Sequence, residues 1–279
     1  MSIWESIFYG ILQGVAEFLP ISSSGHLAIF QSVFGAGDPD ANISFNILLH
    51  LGTLIAVFAV YWRDILQLIL SFFTLCGKLF RGNFKLSTYT EHERMVIFIV
   101  IATLPLIPAV LVEDYVAALS SYIIVVGAIL LLNAFLLFFS DRMAKGNKTL
   151  DEVKPRNALV VGLCQMLAIL PGLSRSGSTI TGGLTQGFER PLAVKFSFLM
   201  STPAILGACV LKLPDFFSTV STESNTQLLI YLAGAAVAAL VGIGAMKLLA
   251  YISKKSNFRL FSYYCVIAGL FAIIWGLTH

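Results

Sequence analysis

Charge is what this chain has least of. Asp, Glu, Lys and Arg make up 12% of its 279 residues, about half the share of an ordinary soluble domain. The two signs nearly cancel, with 18 Lys and Arg against 15 Asp and Glu. A net charge of +3 gives no support to a nucleic-acid partner. Cysteine is also sparse. Cys76, Cys164, Cys209 and Cys265 lie far apart in or near apolar runs, which fits neither a metal site nor a disulfide framework. They read as small apolar packers. The first residues lack a basic stretch and a clean cleavage site, so no signal peptide is expected. Acidic residues are rarest inside the apolar runs, and Glu17 stands out there for that reason.

Apolar sequence is what fills the space. Hydrophobic residues are 57% of the chain and the mean hydropathy is +0.86, values of an integral membrane protein. A helix needs about 20 apolar residues to cross the hydrocarbon core. Six runs qualify: Ile43–Trp62, Met95–Val112, Ser121–Ser140, Ala193–Leu213, Gln227–Leu249 and Leu260–Leu277. Ile3–Phe34 and Arg156–Gly187 are long enough but are interrupted near their middles. Each reads as helix, break, helix: a re-entrant hairpin that enters and leaves by one face.

The two interruptions carry related motifs. QGVAEFLPISSSG (Gln13 to Gly25) and QMLAILPGLSRSG (Gln165 to Gly177) align Gln with Gln and SSSG with SRSG, about 152 residues apart. Pro20 and Pro171 fall one place out of register. FNILLHLGTLIA (Phe45 to Ala56) is echoed by FSFLMSTPAILG (Phe196 to Gly207) at nearly the same offset. The expected fold is therefore an all-α polytopic membrane protein, one membrane domain over 1–279. Repeat 1 covers about 2–140 and repeat 2 about 156–278. Three crossings separate equivalent points, so the second half is inverted and the hairpin tips meet near the midplane.

Loop charge sets the expected orientation. Arg63–Arg94, Asp141–Arg156 and Ala250–Arg259 carry the Lys and Arg, including Arg81, Lys85, Lys145 and Lys255. Gly35–Asn42, Glu113–Ser120 and Pro214–Thr226 carry none; they carry Asp38, Asp40, Glu113, Asp114, Asp215 and Glu223. The basic loops belong inside, which puts both termini outside. Tyr61, Trp62, Tyr115, Tyr122 and Tyr251 sit at span ends as interfacial belt residues.

Polar chemistry concentrates at the breaks. Arg175 sits in PGLSRSGSTITGG among Ser174, Ser176, Ser178, Thr179 and Thr181, with Gly177 beside it. An arginine at membrane depth is a functional candidate by default. Guanidinium, hydroxyls and helix-start amides together make a phosphate receptor. The plainer alternative is an arginine that pairs with Glu17 to hold the hairpins together. Gln13 and Glu17 are four apart, hence on one helix face. Ser22, Ser23, Ser24 and His26 follow within ten residues. Carboxylate, hydroxyls and imidazole suit hydrolysis, as nucleophile, general acid/base and metal ligand or orienting group. Taken singly, His26 is as well read as a core histidine and the serines as a helix cap. His50, Thr53, Ser201 and Thr202 occupy equivalent places and either line the site or pack helices. Gly234, Gly242 and Gly244 read as close helix packing. A lipid transporter is the competing class, because inverted repeats with broken helices are a transporter architecture.

These motifs resemble those of bacterial undecaprenyl-diphosphate phosphatases of the BacA type. The resemblance rests on the (E/Q)xxxE stretch leading into LPxSS(S/T)GH (Gln13 to His26), on PGxSRSGxT (Pro171 to Thr179) and on YWRD (Tyr61 to Asp64). It implies hydrolysis of undecaprenyl diphosphate to the monophosphate carrier lipid and inorganic phosphate. That reaction recycles the carrier for peptidoglycan and bears on bacitracin resistance. It also implies a multi-pass protein of the bacterial plasma (inner) membrane whose site opens to the periplasmic face, assisted by Mg²⁺ or Ca²⁺. By motif position, Ser23 is the nucleophile, His26 its acid/base partner, Glu17 a catalytic and metal-binding carboxylate, and Arg175 the phosphate clamp. Ser22, Ser24, Ser174, Ser176 and Gly177 line the phosphate site. Gln13 replaces a second carboxylate and is a poorer metal ligand, so Glu17, phosphates and water would hold the ion. Carrier-lipid flipping on the same fold is the alternative function. A homodimer is compatible with the glycine-rich spans but not required by them.

Overall fold

The computed structural model describes residues 1–34, 43–80, 88–143, 146–220, 223–254 and 258–279. Asp38, Asp40, Arg81, Lys85, Lys145 and Lys255, on which part of the loop-charge argument rests, lie outside the described residues. Among the described residues the chain is helical, apart from an isolated bridge between Lys148 and Phe188.

The first half begins with a broken pair, α1 (Ile3–Phe18) and α2 (Ser23–Phe34), followed by α3 (Ile43–Phe80). Next come α4 (Glu91–Thr103), α5 (Leu106–Ala109) and α6 (Glu113–Ala118), then α7 (Ile123–Met143). The second half begins with the broken pair α8 (Pro155–Leu167) and α9 (Arg175–Thr185), followed by α10 (Arg190–Leu211). It ends with α11 (Leu213–Val220), α12 (Asn225–Ser253) and α13 (Arg259–Thr278). Among the described residues, six stretches are long and apolar enough to cross a membrane: Ser44–Lys78, Glu91–Ser121, Ile123–Met143, Arg190–Leu211, Asn225–Ser253 and Arg259–Thr278. Their outer faces leave Leu111, Leu240 and Ile267 exposed, as a multi-pass membrane protein requires.

Three boundaries depart from the sequence expectation. The first span does not stop at Trp62; α3 continues to Phe80 through a bend at Tyr61 (φ −111°, ψ 24°). Residues past Arg63 are apolar enough to carry the helix on, and Asp64 finds a cation in Lys195 at 2.6 Å. The second span is segmented at Leu104 and Pro105, where proline withdraws a helix N–H. The expected loop Glu113–Ser120 contains the helix α6, and α11 overlaps the start of the expected loop Pro214–Thr226.

Small residues bring helices close, since lipid supplies no hydrophobic force between them. A Cβ on Gly14 of α1 would stand 2.7 Å from the Ala238 carbonyl of α12, and one on Gly127 of α7 would stand 2.8 Å from the Gly269 carbonyl of α13. Gly234 and Gly242 also sit in close packing, but a Cβ on Gly244 would meet nothing within 4 Å among the described residues. α1 lies along α12, and α8 along α4; α7 pairs with α13. α1 thus packs on a helix of the second half and α8 on a helix of the first. Ion pairs gather on the residues of the expected basic face: Lys78–Glu93 at 2.7 Å, Arg94–Asp151 at 2.6 Å and Arg190–Asp141 at 2.9 Å.

Candidate active site

Both breaks arise where the sequence forbids a continued helix. In the first, Pro20 follows the extended C-cap Leu19, and Ser22 takes a left-handed φ of 74°. Such a conformation is rare for a residue with a side chain and marks a functional turn. In the second, Pro171 precedes Gly172, whose φ is +99°. A Cβ on Gly172 would also stand 2.7 Å from the Val126 carbonyl, so only glycine fits there. The breaks touch each other. A Cβ on Gly25 would lie 3.0 Å from Gly172 Cα, and one on Gly177 would lie 3.2 Å from Pro20 Cβ.

Glu17 sits at the centre of the cluster, in the last turn of α1. One carboxylate oxygen, Oε1, pairs with Arg175 Nη2 from the first turn of α9. The other, Oε2, accepts from Ser23 Oγ at 2.8 Å and from Gln13 Nε2 at 3.1 Å. Arg175 Nη1 reaches the Ser201 carbonyl at 3.5 Å. Glu17 is 8% exposed and Gln13 fully buried, whereas Ser23 and Arg175 are only partly covered and Ser24 is exposed. The open side of the cluster therefore carries a hydroxyl and a guanidinium, with the carboxylate behind both. A hydroxyl donating to a carboxylate beside a cation is an arrangement for activating that hydroxyl against an anion.

His26 is not in this cluster. Its Nδ1 lies 2.8 Å from the Ser22 carbonyl and its Nε2 2.8 Å from the Tyr264 hydroxyl, with the two rings stacked. A carbonyl can only accept, so Nδ1 carries the proton and Nε2 accepts from Tyr264. The expected pairing of His26 with Ser23 does not appear among the hydrogen bonds of the described residues: the carboxylate of Glu17, four helical residues after Gln13, is the group that bonds Ser23 Oγ. The reason is local, because the first turn of α2 carries the His26 ring back onto the Ser22 carbonyl.

The hydroxyls expected around the phosphate divide into two sets. Ser174 caps α9, accepting from the Gly177 N–H at 3.2 Å, and meets Ser176 Oγ at 3.1 Å. Ser22 accepts from the Gly25 N–H at 3.2 Å and lies 3.3 Å from Ser24 Oγ. Ser22, Ser174 and Ser176 are buried and engaged as caps and neighbours, and the Gly177 amide is already satisfied. Thr179 bonds Ser197 Oγ at 2.6 Å, while Ser178 and Thr181 have buried hydroxyls with no partner among the described residues. Ser23, Ser24 and Arg175 are the members left to meet a ligand. Ser201 enters through its carbonyl, since its hydroxyl bonds Phe198 O at 2.7 Å. His50 turns to the Asn46 carbonyl at 2.8 Å.

No group of three or more His, Cys, Asp or Glu is placed to hold a metal among the described residues. Gln13 presents its amide N–H to Glu17, leaving its Oε1 buried without a partner. An unsatisfied carbonyl-type oxygen beside a carboxylate suits a hard cation that takes its other ligands from phosphate and water.

Two residues essential to this geometry are silent in the motifs. Asn133 of α7, fully buried, donates to the Pro20 carbonyl at 3.0 Å and accepts from the Ser174 N–H at 3.2 Å. Tyr264 of α13 holds His26. Each lies more than a hundred residues from a partner, on an apolar span where no local pattern flags it.

Comparison with known proteins places the chain in a family. The family model described as bacitracin resistance protein BacA matches residues 6–271. The chain is 42% identical over 275 residues to an undecaprenyl-diphosphatase of Halothermothrix orenii, covering 98% of each chain. It is 38% identical over 281 residues to one of Desulforapulum autotrophicum, covering 100% of each. A third, from Bacteroides thetaiotaomicron, is 38% identical over 279 residues, with 99% of this chain and 100% of that one aligned. With its whole membrane domain matched in this way, the chain belongs to the BacA family.

Proposed function

We propose that this protein hydrolyses undecaprenyl diphosphate at the paired breaks, releasing inorganic phosphate and the monophosphate carrier lipid. One observation carries the reading: Glu17 accepts a hydrogen bond from Ser23 Oγ with one oxygen and pairs with Arg175 through the other. Ser23 attacks the terminal phosphorus, its proton passes to Glu17, and the bond to the bridging oxygen of the prenyl phosphate breaks. Entry of the diphosphate draws the Arg175 guanidinium fork off Glu17 onto the phosphoryl oxygens, where charge develops, and leaves the carboxylate free to take the Ser23 proton. Glu17 gives that proton to the prenyl phosphate as it leaves and, ionised again, takes a proton from the water that hydrolyses the phosphoserine and returns it to Ser23 Oγ. Ser24, exposed beside Ser23, contacts phosphate. His26 holds the Ser22 carbonyl and so the left-handed turn on which Ser23 stands.

A divalent cation, Mg²⁺ or Ca²⁺, fits Glu17 and the free Gln13 Oε1, with phosphate and water as remaining ligands. When bound it would neutralise diphosphate charge.

The site is read as two re-entrant pairs in an inverted repeat. At 11 to 16 residues, α1, α2, α8 and α9 are each at most about 24 Å long, short of the roughly 30 Å hydrocarbon core. The reciprocal packing of α1 on α12 and α8 on α4 supports the inversion. The loop charges favour a site opening to the outer face of the bacterial plasma membrane, with the expected boundaries 2–140 and 156–278 for the repeats.

Transport is not favoured: the relatives are named for hydrolysis, and a flippase needs no hydroxyl poised on a carboxylate. The test is phosphate release from a prenyl diphosphate by the purified protein in detergent with Mg²⁺ or Ca²⁺ titrated, where no second leaflet exists. Release abolished by Ser23→Ala, together with a trapped phosphoserine in the wild type, is expected. No release overturns hydrolysis; release by Ser23→Ala near the wild-type rate overturns the covalent step in favour of direct attack by water.

A further inference from the structure

Outside the motifs, one side chain touches both breaks at once. Asn133 lies in the middle of the apolar helix α7 and is fully buried. Its Nδ2 donates to the Pro20 carbonyl at 3.0 Å and approaches Cys265 Sγ at 3.4 Å. Its Oδ1 accepts from the Ser174 N–H at 3.2 Å. Pro20 stands three residues before Ser23, and Ser174 stands immediately before Arg175. Both backbone groups belong to helix breaks, so neither has a ladder partner, and buried orphan groups of this kind are rare. A single carboxamide supplies the donor for one and the acceptor for the other. Leucine offers neither, and serine is too short to span both.

We propose that Asn133 is the positioning residue that fixes the separation of the Ser23 nucleophile and the Arg175 clamp by stapling the two breaks to α7. The proposal rests on the assignment of those two residues above. No other side chain among those described bonds to both breaks' backbone. The direct contact between Glu17 and Arg175 does not do the same work, because it must open when phosphate arrives. The staple does not change through the reaction and gives both halves a common reference.

The test uses full-length protein in detergent with farnesyl diphosphate as a soluble prenyl diphosphate, well below the melting temperature. Asn133→Leu, similar in volume, is expected to lower kcat about 100-fold with KM within about threefold of wild type, the pattern of lost transition-state geometry. Hydrogen exchange at the Ser174 amide should accelerate in the same variant. Asn133→Asp separates positioning from folding. As a neutral acid it can donate to Pro20 and accept from Ser174; as an anion it loses the donor. Its kcat should approach wild type at acid pH and fall as pH rises, against the wild-type profile. Wild-type kcat in Asn133→Leu, or a loss wholly explained by a smaller folded fraction, overturns the proposal. An unchanged Ser174 exchange rate overturns the staple itself, whatever the activity. A wild type that releases no phosphate overturns the functional assignment instead and leaves the exchange result to decide the staple.

Discussion

The ion pair at the centre of the site makes Glu17→Gln the most informative single change. The substitution keeps shape and removes charge. Three donors now meet a neutral amide: Arg175, Ser23 at 2.8 Å and Gln13 at 3.1 Å. Breaking one side of a buried pair costs about 3–5 kcal/mol, because the surviving charge is left without compensation. The Arg175 side chain is 20% exposed against 7% for Glu17, so water recovers part of its solvation and the lower end, about 3 kcal/mol, is expected. Activity should fall further than stability. Losing the base that takes the Ser23 proton removes about 10²–10⁴-fold in kcat. The double variant Glu17→Gln/Arg175→Gln isolates the two effects. It has no orphan charge, so most of the lost stability should return through a favourable coupling, while activity stays lost. Thermal unfolding and phosphate release on the same detergent samples measure both. A Glu17→Gln protein with kcat within about threefold of wild type would refute the carboxylate as base. A double variant less stable than either single one would refute the charge argument.

Other consequences follow from single contacts. Arg175→Lys keeps the charge but loses the planar fork, which should cut kcat/KM by about 100-fold, read from phosphate-release kinetics. Gly172→Ala forces a side chain into a backbone at φ +99° and against the Val126 carbonyl at 2.7 Å, so a loss of about 1–3 kcal/mol or misfolding is expected. A melting temperature matching wild type would contradict this. Tyr264→Phe removes only the hydroxyl on His26 Nε2; the cost of about 1 kcal/mol predicts a roughly fivefold fall in kcat at most. A collapse of activity in that variant would show that His26 carries a proton in the reaction rather than holding the turn.

The parts of this structure that sequence reveals are those that depend on neighbours in the chain. Gln13 and Glu17 are four apart, so the sequence puts them on one helix face, and there they hydrogen-bond. Pro20 and Pro171 withdraw N–H groups, so both breaks could be located to within a few residues. Apolar length located the six long helices, but not the extension of α3 past Arg63. A charged residue ends an apolar run in sequence, whereas in the fold Asp64 meets Lys195 and the helix proceeds. Long-range pairings were the harder part. The histidine three residues after Ser23 suggested a serine–histidine pair, yet an imidazole four residues after a carbonyl in a helix can bond back to it, and His26 does. The carboxylate six residues before Ser23, across a proline, is the one that reaches the hydroxyl.

The same distinction explains why the duplicated motif is only half a guide to the site. A repeat read from sequence suggests two equivalent contributions. The folded breaks are unequal because one brings the Glu17 carboxylate and the Ser23 hydroxyl and the other brings the Arg175 guanidinium. Glu17 and Arg175 could not both sit on one break and face a ligand between them, since a hairpin this short would pair them permanently along its own side. Placed on opposite breaks, their separation is set by packing, and a diphosphate can enter by replacing one charge contact with another. That exchange is favourable only if the breaks keep their register when the ion pair opens. Gly25 against Gly172 sets how close they come. Asn133, on neither motif, supplies what the repeat does not: a fixed point outside both halves of the site to which each is tied.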